Sequence, residues 1–235
     1  MTKSNSLKYS AIILAAGKGE RAKTTLPKQY VTLNNKPIIE YSISTFVHSN
    51  LFKDIIVVIN PDNMLLYHEI LIKYPSIRIS YGGETRQAST LNGLKAIEDT
   101  DYVFIHDAAR PFITIKKLME IKETLTSTSG TIPALPITDT IKMVRENGLV
   151  ANTINRKNLY IAQTPQAFPY KIIFNAHKEA IKNTTINFTD DSSIAEYYNI
   201  PVKIISGCPN NIKITYATDF YLAEFILKNM DSYNE

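Results

Sequence analysis

The chain has little of several things that would fix a function class at once. Cys208 is its only cysteine, so no disulfide framework can form within the chain and a cytosolic protein is expected. That thiol stands beside Pro209 with no nearby histidine, which suits a buried bystander better than a nucleophile. No run of five or six like charges occurs among the 26 basic and 22 acidic residues, so a basic tail for nucleic acid is not indicated. Long hydrophobic runs are missing as well. The polar stretch MTKSNSLKYS leads into an apolar run at 11–16 that is too brief for a signal peptide or a membrane span, so a cytoplasmic protein with no membrane partner is expected. Internal repeats, low-complexity tracts and linkers are also lacking. Residues 1–235 are expected to form one domain.

What is present is ordinary globular material, 44% hydrophobic and 20% charged. The net charge of +4 suits phosphate-rich small substrates without proving them. Segments 10–14, 55–59, 77–80 and 102–105, rich in Ile, Val and aromatics, read as short buried strands. Segments 38–48, 64–74 and 86–98 carry the spacing of helices that pack one face on a sheet. This alternation predicts an α/β, Rossmann-like doubly wound fold, with a mostly parallel sheet and helices on both faces. Ligands of such sheets bind beyond the carboxyl ends of the strands. Three polar or glycine-rich loops should meet there: 17–21, 82–86 and 106–110.

The stretch 130–160 differs. Asn147-Gly148 between two β-type runs predicts a hairpin, and a hairpin inserted in an α/β domain is expected to project as an arm, about 137–157. Apolar residues on such an arm suggest packing against a second copy of the chain. Beyond it, 171–182 and 192–197 read as helices and 202–206 and 212–215 as strands. A closing helix is predicted at about 219–228, with Thr218 as N-cap.

Gly17 and Gly19 follow the first strand, removing side chains where a phosphate must approach backbone N–H groups. Arg21 and Lys28 add two cations that can reach different phosphates of one triphosphate, and Pro27 restricts the backbone before Lys28. There is no Gly-Lys-Ser/Thr ending, so this is not a Walker loop. A dinucleotide fingerprint tolerates Ala22 and remains open on the glycines, but Asn60-Pro61 replaces the acidic residue expected after the second strand. The density of cations favours a triphosphate. A purely structural turn is the competing reading of the glycine pair.

The residues 14–21 (LAAGKGER) followed by 26–30 (LPKQY) resemble the signature of sugar-nucleotide nucleotidyltransferases. More narrowly, they are similar to the 2-C-methyl-D-erythritol 4-phosphate cytidylyltransferase family, a likeness that runs from about residue 9 to 227. The resemblance implies Arg21 and Lys28 as groups that stabilise transition-state charge, with Ala15, Ala16, Gly17, Gly19, Lys28 and Ala108 around CTP. Ala22 departs from the family's usual methionine, which alters packing only.

Gly82, Gly83, Glu84 and Ser89 resemble that family's base- and ribose-recognition loop; taken alone, the segment is also a helix start with Thr85 as cap. His106-Asp107-Ala108-Ala109-Arg110-Pro111 is the most specific short motif. An aspartate at a strand's carboxyl end is placed to hold Mg²⁺, or another divalent cation, against phosphate oxygens. The family implies Asp107 as metal ligand and Arg110 as a contact to the second substrate's phosphate. His106 has no suitably spaced His or Cys partner and reads as structural. Asp190 and Asp191 read as helix-capping residues rather than a catalytic pair. By resemblance, Thr140 and Arg156 on the arm hold the acceptor in a neighbouring subunit's site, Thr164 and Thr189 join them, and Lys213 completes a cationic ring. Without the family, Arg156 and Lys213 would read as surface residues.

The chemistry implied is attack by a sugar-alcohol phosphate on the α-phosphorus of CTP, with no protein nucleophile and no general base. Catalysis then rests on Arg21, Lys28, Arg156 and Lys213 as charge-neutralising groups. Three alternatives stay open: a related enzyme using ribitol 5-phosphate, a nicotinamide-dependent dehydrogenase, and a non-catalytic nucleotide-binding module.

Overall fold

The computed structural model describes residues 6–17, 19, 26–183 and 185–229. In chain order the elements are β1 (Tyr9–Ala15), β2 (Thr32–Leu33), β3 (Lys36–Pro37), α1 (Ile38–His48), β4 (Asp54–Ile59), α2 (Met64–Lys73), β5 (Ile77–Tyr81) and α3 (Arg86–Lys95). They continue as β6 (Tyr102–Asp107), α4 (Ile115–Thr124), β7 (Gly130–Pro136), β8 (Ile141–Val144), β9 (Val150–Ile154), β10 (Tyr160–Ala162) and β11 (Gln166–Pro169). The last are α5 (Tyr170–Ala180), α6 (Asp191–Tyr197), β12 (Val202–Ser206) and α7 (Thr218–Asn229).

The main sheet runs β10-β7-β11-β6-β1-β4-β5, with β12 alongside β7. Strands β1, β4, β5, β6, β7 and β12 point one way, while β10 and β11 run against them. Central strands of such a sheet must be apolar on both sides, and β1 meets this with Ala11, Ile12 and Ile13 all fully buried. Alternate residues divide between two cores. Ile13 and Val57 pack with Ile39, Phe46, Tyr67 and Leu118, from α1, α2 and α4. Ile12 and Ile56 pack with Leu94, Ile173 and Ala195, from α3, α5 and α6. The doubly wound α/β arrangement expected from the sequence is present. Because β4 and β5 lie on one side of β1 and β6 on the other, chain order reverses between β1 and β6, and that is where such sheets open a crevice.

Three details differ from the sequence reading. Residues 212–215 form no strand; the segment crosses the loop after β6, where Ile214 N–H donates to Ala109 O at 2.9 Å and the side chain is buried with Leu33, Ile38 and Phe112. Thr218 is the first residue of α7 rather than its cap. The approach to that helix is held instead by Asp219 Oδ2, which accepts from Thr215 N–H at 2.7 Å and Tyr216 N–H at 2.8 Å. Helix α4 and strands β10 and β11 have no counterpart in that reading.

Strands β8 and β9 form a two-stranded sheet of their own, with a register irregularity at Met143/Val144. Gly148 takes the left-handed backbone (φ +82) that its turn requires. Met143, Val144, Leu149 and Val150 are each more than half exposed.

Candidate active site

The carboxyl ends of β1, β4, β5 and β6 open into one cavity of about 1030 Å³. Its wall includes Ala15, Ala16, Gly17, Gly19 and Lys28 from the end of β1 and the segment after it, Gly82, Gly83 and Glu84 from the loop after β5, Arg86 and Ser89 from the start of α3, and Asp107, Ala108 and Lys213. The structure thus brings together most of the residues singled out for a nucleotide, drawn from segments up to 198 positions apart (213 − 15). Arg21 lies outside the described residues.

The first loop is shaped by a residue to which the sequence gives no prominence. Gln29, almost fully buried, donates through Nε2 to Ala15 O at 2.7 Å and Gly17 O at 3.0 Å. Those two hydrogen bonds tie the loop to the Lys28–Tyr30 turn, and Gln29 itself lines the cavity. Gly19 has φ +70, and a Cβ there would lie 3.1 Å from Lys28 Cγ, so glycine serves both conformation and space. Lys28 begins a short 3-10 turn over Lys28–Tyr30 and donates through Nζ to Ile214 O at 2.7 Å. Its side chain is drawn across the cavity rim toward the 213–215 segment.

The second loop owes its form to Ser89 and to close packing. Ser89 Oγ accepts from Gly83 N–H at 3.1 Å and donates to Thr85 O at 2.9 Å. Gly82 N–H donates to Ile59 O at 2.8 Å. The amides of both glycines are hydrogen-bonded within the protein, and a backbone carbonyl in this loop would suit an exocyclic amino donor of a base. Thr85 caps α3 through Oγ1, accepting from Ala88 N–H at 3.0 Å. At the end of β4, Asn60 Oδ1 accepts from Asp62 N–H at 3.0 Å within a short turn, leaving no acidic side chain placed as a ribose ligand of a dinucleotide.

Asp107 ends β6 and is 8% exposed. Its Oδ1 accepts from Arg86 Nε and Nη2, both at 3.2 Å, and its Oδ2 from Lys213 Nζ at 2.7 Å. Burial alone would raise its pKa, but Arg86, then Lys213 and Arg110, outweigh burial and hold the carboxyl well below the usual carboxylate range. Arg86 reaches further, to Asp191 Oδ2 at 2.8 Å. Asp191 is wholly buried; burial opposes its ionisation, yet Arg86 and the neighbouring His177 hold it at about 2. Asp190 forms a capping box with Ser193, as the sequence suggested. Asp191 does not share that job, and its pairing with Arg86 has no sequence signal because the two stand 105 residues apart.

His106 is structural. Its Nε2 donates to Arg110 O at 3.0 Å and its Nδ1 accepts from Thr164 Oγ1 at 3.0 Å, which fixes a neutral ring. Burial pushes its pKa down to about 4. Thr164 also accepts from Asp107 N–H at 3.0 Å, so this buried hydroxyl is engaged on the far side of Asp107 rather than in the cavity wall. Arg110 donates to Asn211 O at 2.8 Å and Ala162 O at 3.3 Å; burial pushes its pKa down, and its Nε has no partner among the described residues. Thr140 and Thr189 are exposed. Arg156, also exposed, donates to Thr138 O, so the segments flanking the β8–β9 hairpin are joined. Thr140, Arg156 and Thr189 are not part of the cavity wall.

Among the described residues no group of three or more His, Cys, Asp and Glu side chains could hold a metal ion. A single carboxylate set between cations is a poor site for a free ion. It fits Mg²⁺ arriving with phosphate oxygens, since that ion commonly takes one or two carboxylates and completes its shell with phosphate and water. No described helix is long and apolar enough to cross a membrane.

Comparison with known proteins gives concordant matches. The family model of 2-C-methyl-D-erythritol 4-phosphate cytidylyltransferase (IspD) matches residues 9–229. The bifunctional enzyme IspD/IspF of Bartonella tribocorum is 45% identical over 228 residues, covering 95% of this chain and 57% of that protein. The crystal structure of 4-diphosphocytidyl-2C-methyl-D-erythritol synthase from Anaerococcus prevotii has a TM-score of 0.84 at 32% identity, covering 94% of this chain and 99% of that one. That of Francisella tularensis 2-C-methyl-D-erythritol 4-phosphate cytidylyltransferase has 0.79 at 33%, covering 93% and 99%. The chain thus spans little more than half the length of its bifunctional relatives and nearly all of these two structures.

Proposed function

The chain belongs to the 2-C-methyl-D-erythritol 4-phosphate cytidylyltransferase family, and on that premise we propose that it transfers CMP from CTP to 2-C-methyl-D-erythritol 4-phosphate, releasing pyrophosphate. This is a step of the non-mevalonate route to isoprenoid precursors. The observation that carries the reading is Asp107 in the cavity wall between Arg86 and Lys213, with Lys28 and the glycines of two loops lining the same cavity. Such a site offers cations, a carboxylate set between two of them, and bare backbone.

In the proposed reaction an oxygen of the acceptor's phosphate attacks the α-phosphorus of CTP in line with departing pyrophosphate. The attacking phosphate is already ionised near neutral pH, so no protein base is required. Lys28, Lys213 and Arg21 neutralise the charge that grows on the phosphoryl oxygens, and the 82–89 loop holds the cytidine. Asp107 would hold Mg²⁺, or another divalent cation, which supplies charge stabilisation on the phosphates when bound. Arg110 and Thr189 are assigned to the acceptor side, with Thr164 supporting it through its hydrogen bonds to Asp107 and His106. Thr140 and Arg156 serve that side from the arm of a second copy, in a homodimer; their exposure and the apolar arm support this assignment. A cytoplasmic location accompanies this reading.

The test is pyrophosphate release from CTP and Mg²⁺ with each candidate acceptor. Release with methylerythritol phosphate and not with ribitol 5-phosphate is expected; the reverse preference overturns the acceptor assignment. Tight CTP binding without turnover would make the chain a binding module.

A further inference from the structure

Arg86 joins two carboxylates of different standing. Its Nε and Nη2 lie 3.2 Å from Asp107 Oδ1, and Nη2 lies 2.8 Å from Asp191 Oδ2. Asp107 belongs to the cavity wall; Asp191 is wholly buried behind it, at the start of α6. The back of Asp191 is closed by His177 of α5, also wholly buried, with Nε2 3.3 Å from Asp191 Oδ1. Gln166 of β11 secures this end of α6 to the sheet, donating to Asp190 Oδ2 at 2.7 Å and accepting from Ser192 N–H at 2.8 Å. The row α5–α6–α3–β6 therefore ends on the carboxylate that faces the ligand.

The two cations on Asp107 are held unequally. Arg86 is anchored from behind by a second carboxylate. Lys213 Nζ bonds to Asp107 Oδ2, and its side chain is 38% exposed against 26% for Arg86. A guanidinium shared between two carboxylates neutralises each of them less than it would neutralise one. With Asp191 uncharged, all of that charge would fall on Asp107, and an arriving cation would meet a better-neutralised ligand.

We infer that Asp191 is a positioning residue: it anchors Arg86 on Asp107 Oδ1 and shares its charge, so that Asp107 Oδ2 can exchange Lys213 for a divalent cation carried in with nucleotide phosphates. The inference rests on the cytidylyltransferase reading above and names a residue that acts through Arg86. A buried carboxylate kept only for α6 would affect folding and not the metal requirement.

The experiment titrates Mg²⁺ at saturating CTP in the full chain, wild type beside Asp191→Asn, and measures CTP binding by calorimetry with metal chelated. Loss of a partner behind a metal ligand typically costs about 10–100-fold in metal affinity, so the Mg²⁺ midpoint of Asp191→Asn is expected to rise about tenfold. Metal-free CTP binding should hold or tighten, because the cavity gains positive charge. The double variant Arg86→Gln/Asp191→Asn removes both buried charges together and keeps the protein testable if the single variant does not fold. Its midpoint should lie at or below that of the wild type. An unchanged midpoint in folded Asp191→Asn, parallel loss of metal-free CTP binding, or a raised midpoint in the double variant overturns the inference. Absence of CTP turnover in the wild type at any Mg²⁺ concentration overturns the functional reading itself; turnover with any of those three results overturns this inference alone.

Discussion

Replacing Gly82 by alanine tests how the cavity is built. Gly82 follows β5, and a Cβ there would stand 2.2 Å from Ala16 Cβ and 3.0 Å from Ser89 Oγ. Carbon atoms in contact settle about 3.5–4.0 Å apart, so the first loop at Ala16 must move away from Gly82 by more than about 1 Å, while Ser89 gives by a few tenths of an ångström. Neither neighbour is the far end of a flexible side chain, and Ser89 is already tied to Gly83 and Thr85. Overpacking of this kind costs about 1–3 kcal/mol, which for a chain of this size lowers the melting temperature by about 2–12 °C. A displacement of about 1 Å in a positioning loop costs about 10²-fold in turnover. Gly17→Ala is the control: a methyl group at that position would have no atom within 4 Å, and its φ is not left-handed. Its melting temperature should stay within about 2 °C of the wild type, so any loss of activity there reports contact with the ligand. Thermal melts and kcat/KM for CTP on the two variants decide the matter. A Gly82→Ala protein that melts and turns over like the wild type refutes the reasoning, as does a larger stability loss at Gly17.

Lys28→Ala is expected to lower kcat by about 10²-fold or more, the scale of losing one transition-state donor; an unaltered kcat removes Lys28 from the mechanism. Burial holds His106 at about 4, below its ordinary value, so the folded chain binds fewer protons than the unfolded one between about pH 4 and 6.5. The stability it contributes is intact above about pH 6.5 and falls as pH drops toward about 4, by on the order of 3 kcal/mol in all. Melting temperatures at pH 7 and pH 5 should therefore diverge more in the wild type than in His106→Gln; equal slopes would contradict this. Arg156→Ala should raise the acceptor's KM by about tenfold, the scale of a lost charge-assisted contact, and leave that of CTP within about twofold; an equal rise in both would place Arg156 elsewhere. Light scattering should find a dimer that Val150→Glu weakens, and a wild-type monomer at working concentration would argue against the arm's assignment.

The parallel core is legible in the sequence because β1, β4 and β6 are apolar on both faces, which leaves continuous Ile and Val runs. Strands β10 and β11 are not, since three or four residues carry no usable period and β11 also holds glutamine and proline. Helix α4 rests on Leu118 and Ile121 amid mixed charge, a stripe too sparse to stand out. Residues 212–215 alternate like a strand, but their place is a crossing over the loop after β6, where Ile214 fills a gap beside α7. At the site, glycine spacing and the Asp107 motif are readable because their chemistry is local. The Arg86–Asp191 pair and the Gln29 clamp depend on contacts that only the folded chain creates. The hydroxyls of Ser89 and Thr164 show the converse: their residue types suggest ligand contacts, and the folded chain adds hydrogen bonds that hold the scaffold, which the sequence does not show.

Lys213 reaches Asp107 across 106 residues of chain, and Lys28 reaches Ile214 across 186. By contrast, β1, β4 and β5 with α1 and α2 pair near neighbours, which close at small entropic cost. During synthesis, much of the sheet can thus assemble while Asp107 still lacks its lysine, and the reaction centre is completed only when 211–214 dock. The same segment sets the order of loss. Its buried Ile214 side chain belongs to the small cluster with Leu33, Ile38 and Phe112 and not to the two cores that sandwich the sheet, so under mild denaturant CTP turnover is expected to be lost before the sheet melts.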